Sequence, residues 1–174
     1  MFVSLDELSR IMPHAGARAA IYHEPLNAAM DEYGISENAL RAAAFLAQIA
    51  HESGSLRYVR ELASGEAYEG RKDLGNTEPG DGPRFRGRGL IQVTGRANYA
   101  ACAAALGVDL LTDPVLLESP ALAARSAGWF WGSRRLNELA DKGDFLLITK
   151  RINGGLNGWV DRKNYYERAL GAFS

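Results

Sequence analysis

A single cysteine, Cys102, occurs in 174 residues. That excludes an internal disulfide framework and any multi-cysteine zinc site. Cys102 lies in the run Ala100-Ala101-Cys102-Ala103-Ala104, where a buried small hydrophobe is the natural reading. Histidines are also few: His14, His23 and His51. The zinc-protease helix needs a second histidine four residues after the first, and position 55, after His51-Glu52, is Ser. Ser53-Gly54 lacks the flanks of a nucleophile elbow. Gly87-Arg88-Gly89 imitates a dinucleotide fingerprint, but its third glycine position is Gln92. With no P-loop either, neither a cofactor nor a metal is expected.

Charge of one sign is lacking too: 20 basic residues face 21 acidic ones. This balance argues against a nucleic-acid partner held by bulk charge. No window approaches the roughly 20 apolar residues that cross a membrane, so no stable membrane insertion is expected. The start, Met1-Phe2-Val3-Ser4-Leu5-Asp6-Glu7, has acids where a secretory signal would carry basic and apolar residues. The expectation is synthesis in the cytoplasm without a signal peptide.

The length fits one domain, 1–174, with a core that needs no covalent staples. Most of the chain carries helix signals. Ser4 and Glu7 form a capping box before Leu8, Ile11 and Met12. A second helix runs through Leu26, Ala29, Met30 and Tyr33 to a stop at Gly34. Ser36 is expected to cap the strongest helix, from Glu37 to about Ser53. Further helices are read at 96–106, 114–118, 120–131, 144–152 and 161–169, with Asp113-Pro114 as a start signal. At most a small hairpin is expected, near 56–70 or 88–94. One segment breaks the pattern: residues 73–89 read DLGNTEPGDGPRFRGRG, with five glycines and two prolines. So long a loop is usually either functional or disordered.

Glu52 shares a helix face with Phe45, Gln48 and Ile49. A carboxylate on an apolar stripe, in the last turn of a helix, is disfavoured in its charged form. That is the condition for a general acid near neutral pH; the plainer alternative is a boundary Glu paired with a cation such as Arg57. Glu61 follows 61 − 52 = 9 positions later, beyond the Gly54 break. Two carboxylates in different environments are the minimum equipment of a glycosidase. Gln92, Thr94 and Asn98 then place neutral donors and acceptors at even offsets, suited to sugar hydroxyls and N-acetyl groups. Asn153 precedes Gly154-Gly155, which permit close approach of a ligand.

Together these clusters resemble the family 19 glycoside hydrolases, most closely the short, disulfide-free members of bacteria and their phages. The resemblance is carried by AHESG at 50–54, AYEGRKDLGNTEPGDG at 67–82, FRGRGLIQVTGRANY at 85–99 and ITKRINGGLNG at 148–158. It implies a mainly α, lysozyme-like, two-lobed helical domain with a long Gly-rich loop and at most a small β-hairpin. It also implies an inverting mechanism, with Glu52 as general acid, Glu61 as general base and Thr94 helping to hold the attacking water. Gln92, Asn98 and Asn153 match substrate-contacting positions, and Arg162 a basic residue beside the general base. His51, Tyr68 and Arg71 fall inside matching motifs. In the plant chitinases many more residues separate the two acids, and Asn157 stands where they carry an acidic residue.

The implied substrate is peptidoglycan, or else chitin. The endolysin-like form implies a monomer that reaches the cell wall after release from the cytoplasm and lyses the cell. Two rivals are a chitinase and a non-catalytic glycan-binding module. The second would not need both Glu52 and Glu61.

Overall fold

The computed structural model describes residues 1–174. Nine α-helices follow one another: α1 Leu5–Ile11, α2 Arg18–Glu32, α3 Ala39–Glu52, α4 Asp81–Arg84, α5 Arg96–Leu106, α6 Pro120–Ser133, α7 Leu136–Asp141, α8 Phe145–Asn153 and α9 Trp159–Ala172. Short 3-10 turns fill 35–37, 66–68, 72–74 and 114–118. No helix is long and apolar enough to cross a membrane.

Side-chain caps mark four of the nine starts, at Ser4, Asn38, Ser119 and Asp144. Ser4 Oγ accepts from Glu7 N, and Glu7 Oε2 accepts from Ser4 N, closing the capping box of α1. The strongest helix begins two residues later than expected. Ser36 lies in a 3-10 turn, and Asn38 is the cap, accepting from Arg41 N at 3.0 Å. The short α7 carries no sequence signal: its first turn follows Arg135, held in the left-handed region.

Helix α3 is buried along its middle from Ala42 to Ala50. Alanines at 42–44, 47 and 50 let neighbouring helices approach closely. Helix α9 lies along α3, and α2 packs on α6. Phe45 meets Trp131 edge to face, with centroids 5.4 Å apart; both are fully buried. Burying each such side chain stabilises by roughly 1.5–3 kcal/mol. The resulting core joins 33 buried residues.

A second core is separate and smaller. Phe85, Val93, Tyr99, Cys102, Leu106, Leu110 and Leu117 form it, between α5 and the turns on either side. Cys102 is one of its members, and burial pushes its thiol up to about 12. These two cores are the two lobes. Helix α6 is their shared wall: Trp129 packs on the small core and Phe130 on the large one.

The Gly-rich segment is ordered by its polar side chains. Arg96 donates to both oxygens of buried Asp81, at 2.8 and 2.7 Å. Buried Asn76 donates to Tyr68 O and accepts from Arg96 N. The Glu69 carboxylate accepts from Gly80 N and Gly82 N, each at 2.7 Å. The β structure is minimal, as expected. Arg88 forms antiparallel bridges with Arg60 and with Val93, and that pairing holds residues 59–61 beside the end of the loop.

Candidate active site

Two groups of predicted residues form, one on each lobe. The first is built on the C-terminal end of α3. Glu52, the last residue of that helix, is partly exposed. Its Oε1 lies 2.6 Å from Arg162 Nη2. Arg162 is 1% exposed. It also donates to Gln48 Oε1 and to Asn157 O. Gln48 Nε2 donates to Thr149 Oγ1, which donates to Phe145 O. A buried polar chain therefore runs from Glu52 through three helices. Every member is hydrogen-bonded, which such a seam requires.

This corrects two expectations. The cation expected beside Glu61 is beside Glu52, because α9 lies along α3 and brings Arg162 to its end. The cation that pairs with Glu52, for which Arg57 was the named candidate, is the buried guanidinium of Arg162. Gln48, read only as sharing the stripe, is the link between them.

His51 accompanies Glu52. Its Nδ1 is 2.7 Å from Asp161 Oδ2. Gly158 presses against the ring: a Cβ there would stand 2.1 Å from His51 Cε1, and its φ is +71°. Only glycine fits on both counts. Asn153, exposed at the end of α8, accepts from Asn157 N at 3.2 Å and so shapes the loop that also binds Arg162.

After Glu52 the chain reverses through Gly54, Ser55 and Leu56, all with positive φ (58°, 57° and 65°). For Ser55 and Leu56 this conformation costs on the order of 1–2 kcal/mol each. It is held by Ser55 N donating to Ala50 O, by Leu56 N donating to Ser53 Oγ, and by a 2.9 Å bond between Ser55 Oγ and Tyr165 OH. Such stored strain is common at functional sites, and here the reversal leads directly to Glu61.

The second group gathers around Glu61. Its backbone N donates to Gly87 O, and Gly89 N donates to Val59 O. Tyr68 OH donates to Glu61 Oε2 at 3.0 Å. Glu61 Oε1 is buried and has no hydrogen-bond partner in the protein, an arrangement that asks for an explanation in a folded chain. Burial, and then the bond to Glu61, raise the Tyr68 phenol above its ordinary value. Arg71 is bound to Asp73 through two hydrogen bonds and lies 6.0 Å from the Tyr68 ring centroid. It flanks Tyr68.

A Cβ on Gly87 would stand 2.7 Å from Gln92 Oε1 and 3.0 Å from Glu61 Oε2. The absence of a side chain there lets the carboxylate and the amide sit together over the backbone. Gln92 in turn lines a pocket of about 130 Å³ with Thr94, Asn98, Trp129, Phe130 and Arg134. Thus three of the predicted polar residues do share one cavity. Asn98 Nδ2 donates to Thr94 O, which leaves its carbonyl and the Thr94 hydroxyl for a ligand. Trp129, Phe130 and Arg134 were missed. Trp129-Phe130-Trp131 is an aromatic run at the end of α6, a signal that could have drawn attention to this wall. No group of three or more His, Cys, Asp or Glu side chains is gathered to hold a metal ion.

Comparison with known proteins gives the same picture. A family model described as class I chitinase matches residues 26–143. A glycosyl hydrolase family 19 domain-containing protein of Haemophilus influenzae is 33% identical over 98% of this chain and 96% of its own length. An endochitinase of Arabidopsis thaliana is 41% identical over 71% of this chain. This chain spans 44% of that plant protein. The crystal structure of a bacterial family 19 chitinase superposes with a TM-score of 0.81 at 26% identity, covering 100% of this chain and 96% of the other.

Proposed function

This chain belongs to glycoside hydrolase family 19 and is a glycosidase of the chitinase type, and from that premise we propose that it cleaves β-1,4 bonds between N-acetyl sugars of peptidoglycan by an inverting acid/base mechanism. The observation that carries the reading is the pairing of two carboxylates in unlike settings. Glu52 is tied by one oxygen to a buried arginine. Glu61 keeps a buried oxygen without a partner in the protein, beside a pocket that presents Gln92, Thr94 and Asn98.

In this reading Glu52 is the general acid. Arg162 holds Oε1 and leaves Oε2 to deliver a proton to the glycosidic oxygen. Glu61 is the general base. Tyr68 donates to its Oε2 and fixes the carboxylate, which takes the proton of a water attacking from the opposite face of the sugar. Thr94 positions that water, and Gln92 and Asn98 bind the sugar. Placing this chemistry on a bacterial wall makes the protein a lytic enzyme, made in the cytoplasm and released to the wall. Peptidoglycan is preferred because the Haemophilus influenzae relative, matched over 98% of this chain, is a bacterial protein, and walled bacteria carry this polymer. A second reading, chitin, is favoured by the endochitinase and chitinase names of the other relatives.

Separate digestion of Gram-negative sacculi and chitin oligomers, with mass spectrometry of the new ends, decides between them. New reducing ends from sacculi are expected. Release from chitin alone would overturn the peptidoglycan reading, and peptide release without reducing ends would overturn the glycosidase mechanism. Glu52→Gln should lower turnover by about 10²–10⁴-fold, the usual worth of a positioned acid. A correctly folded, fully active Glu52→Gln enzyme would sink its assignment.

A further inference from the structure

The small-lobe pocket holds a feature that a neutral sugar does not need. Among its lining residues, Leu74, Gln92, Val93, Thr94, Asn98, Trp129, Phe130 and Arg134, only Arg134 is charged. Its guanidinium carbon stands 3.5 Å from the Phe130 ring centroid, a stacking that fixes the plane of the group. Its one side-chain hydrogen bond runs to Ser133 Oγ at 3.3 Å. No carboxylate pairs with it, whereas its neighbour Arg135 is bound to Glu138. Packing draws the Arg134 guanidinium below its ordinary value, with no acid to oppose the shift; it remains a cation, as arginine does in proteins. Its place just after the last residue of α6 favours a positive charge. The helix end explains the charge. It does not explain why the fork is stacked, unpaired and turned to a cavity that also presents the amides of Gln92 and Asn98.

We propose that Arg134 is a specificity-determining residue that receives a carboxylate carried by the glycan, beside the sugar held by Gln92 and Asn98. The proposal rests on the peptidoglycan reading and adds to it the chemical group by which that polymer is told from chitin. Chitin is built of neutral N-acetylglucosamine. In peptidoglycan every second sugar carries a lactyl ether, which ends in a free carboxylate or in a stem peptide with carboxylates of its own. A planar guanidinium with two parallel donors matches such a group. Stacking on Phe130 lowers the rotamer freedom that binding would otherwise remove.

The test is a set of dissociation constants, measured in a Glu61→Gln background so that the ligands survive. The probes are chitotetraose, the tetrasaccharide of alternating N-acetylglucosamine and N-acetylmuramic acid, and the same tetrasaccharide bearing stem peptides. With Arg134 in place, at least one carboxylated probe should bind about tenfold more tightly than chitotetraose at low salt. The advantage should shrink as salt rises. In Arg134→Gln the ratio should collapse to near one, and Arg134→Lys should recover part of it. Tight binding of the free lactyl form assigns that carboxylate; a gain confined to the peptide-bearing form assigns the stem. A ratio unchanged by Arg134→Gln, or near one from the start, would overturn the proposal. The background and the Arg134→Gln variant should melt alike. Hydrolysis of sacculi by the unsubstituted enzyme is scored separately, so failure of the peptidoglycan reading registers there and failure of the carboxylate proposal registers in the ratio.

Discussion

The two lobes are held together by different physics. In the large lobe 33 buried residues form a continuous apolar cluster, crossed by the polar seam from Glu52 to Thr149. In the small lobe seven buried residues do the same work. So small a cluster cannot hold the long loop in place by burial alone. The loop is ordered instead by Asp81 on Arg96, by Asn76, by the Glu69 carboxylate, and by Arg88 donating to Tyr99 OH at 3.0 Å. Hydrophobic burial is non-directional, while hydrogen bonds fix positions. The difference teaches where each is useful: the large lobe supplies a rigid platform for Glu52, and the small lobe uses directional bonds to place Glu61 and the pocket.

Truncating each core sharpens that contrast most. Phe45→Ala should cost about 3–5 kcal/mol and lower the whole unfolding transition. Phe85→Ala removes a similar side chain from the small core. Its effect should concentrate in residues 76–118, read as early amide exchange there while α3 and α9 stay protected. Equal loss of protection in both lobes would mean that they unfold as one unit, and would break the comparison.

The polar seam comes next. Arg162→Met leaves Glu52 without its cation and Gln48 without a donor. Glu52 is 26% exposed, so the cost falls below the figure for a fully buried pair, at about 1–3 kcal/mol for the groups left unsatisfied, and denaturant titration should find the loss in the large lobe. Gln48→Met in the same background should recover part of it, because the orphaned amide is then gone.

The pins of the small lobe follow. Asp81→Asn and Asn76→Ala each leave buried partners unsatisfied, at about 1–3 kcal/mol. Their predicted signature is a loss of activity larger than the loss of global stability, since the loop they hold carries Gly87 beside Glu61. A fall in melting temperature with full activity would contradict it.

The smallest effect is the response to acid. The bond from Arg96 holds the Asp81 carboxyl below its ordinary value. Bonds from Arg41 and Asn38 take Asp141 down to about 2. Both folded values lie below that of the unfolded chain, near 3.9. The stabilisation they give is therefore complete above about pH 4 and is lost as pH falls through the folded values. The melting temperature should decline from pH 4 to 2, and Asp141→Asn should flatten that decline slightly. Asp141 is over one third exposed in its pair with Arg41, so its share is small.

Parts of both lobes could be read from the chain because their signals are local. The Ser4–Glu7 box, the Arg96–Leu106 helix and the burial of Cys102 each depend on neighbours within a few residues. The start of α3 was misjudged because Ser36 and Asn38 are both good caps, and the 3-10 turn at 35–37 selects the second. The acids and the Gln92, Thr94 and Asn98 cluster were legible as motifs. Trp129, Phe130 and Arg134 were not, since a helix that serves two cores turns successive side chains to different surroundings.

The sequence by itself determined a helical, disulfide-free glycosidase and singled out Glu52 and Glu61 as its candidate carboxylates. Helix propensity, capping and residue chemistry act over one or two turns, so no distant partner was needed to see them. Only the tertiary structure decided which carboxylate Arg162 meets, and which aromatics and which arginine close the pocket. Glu52 and Arg162 are 162 − 52 = 110 positions apart, and Gln48 and Thr149 lie 101 apart. Such pairs form only when α3, α8 and α9 have packed, and the packing is set by the whole apolar surface of the chain rather than by the residues that meet.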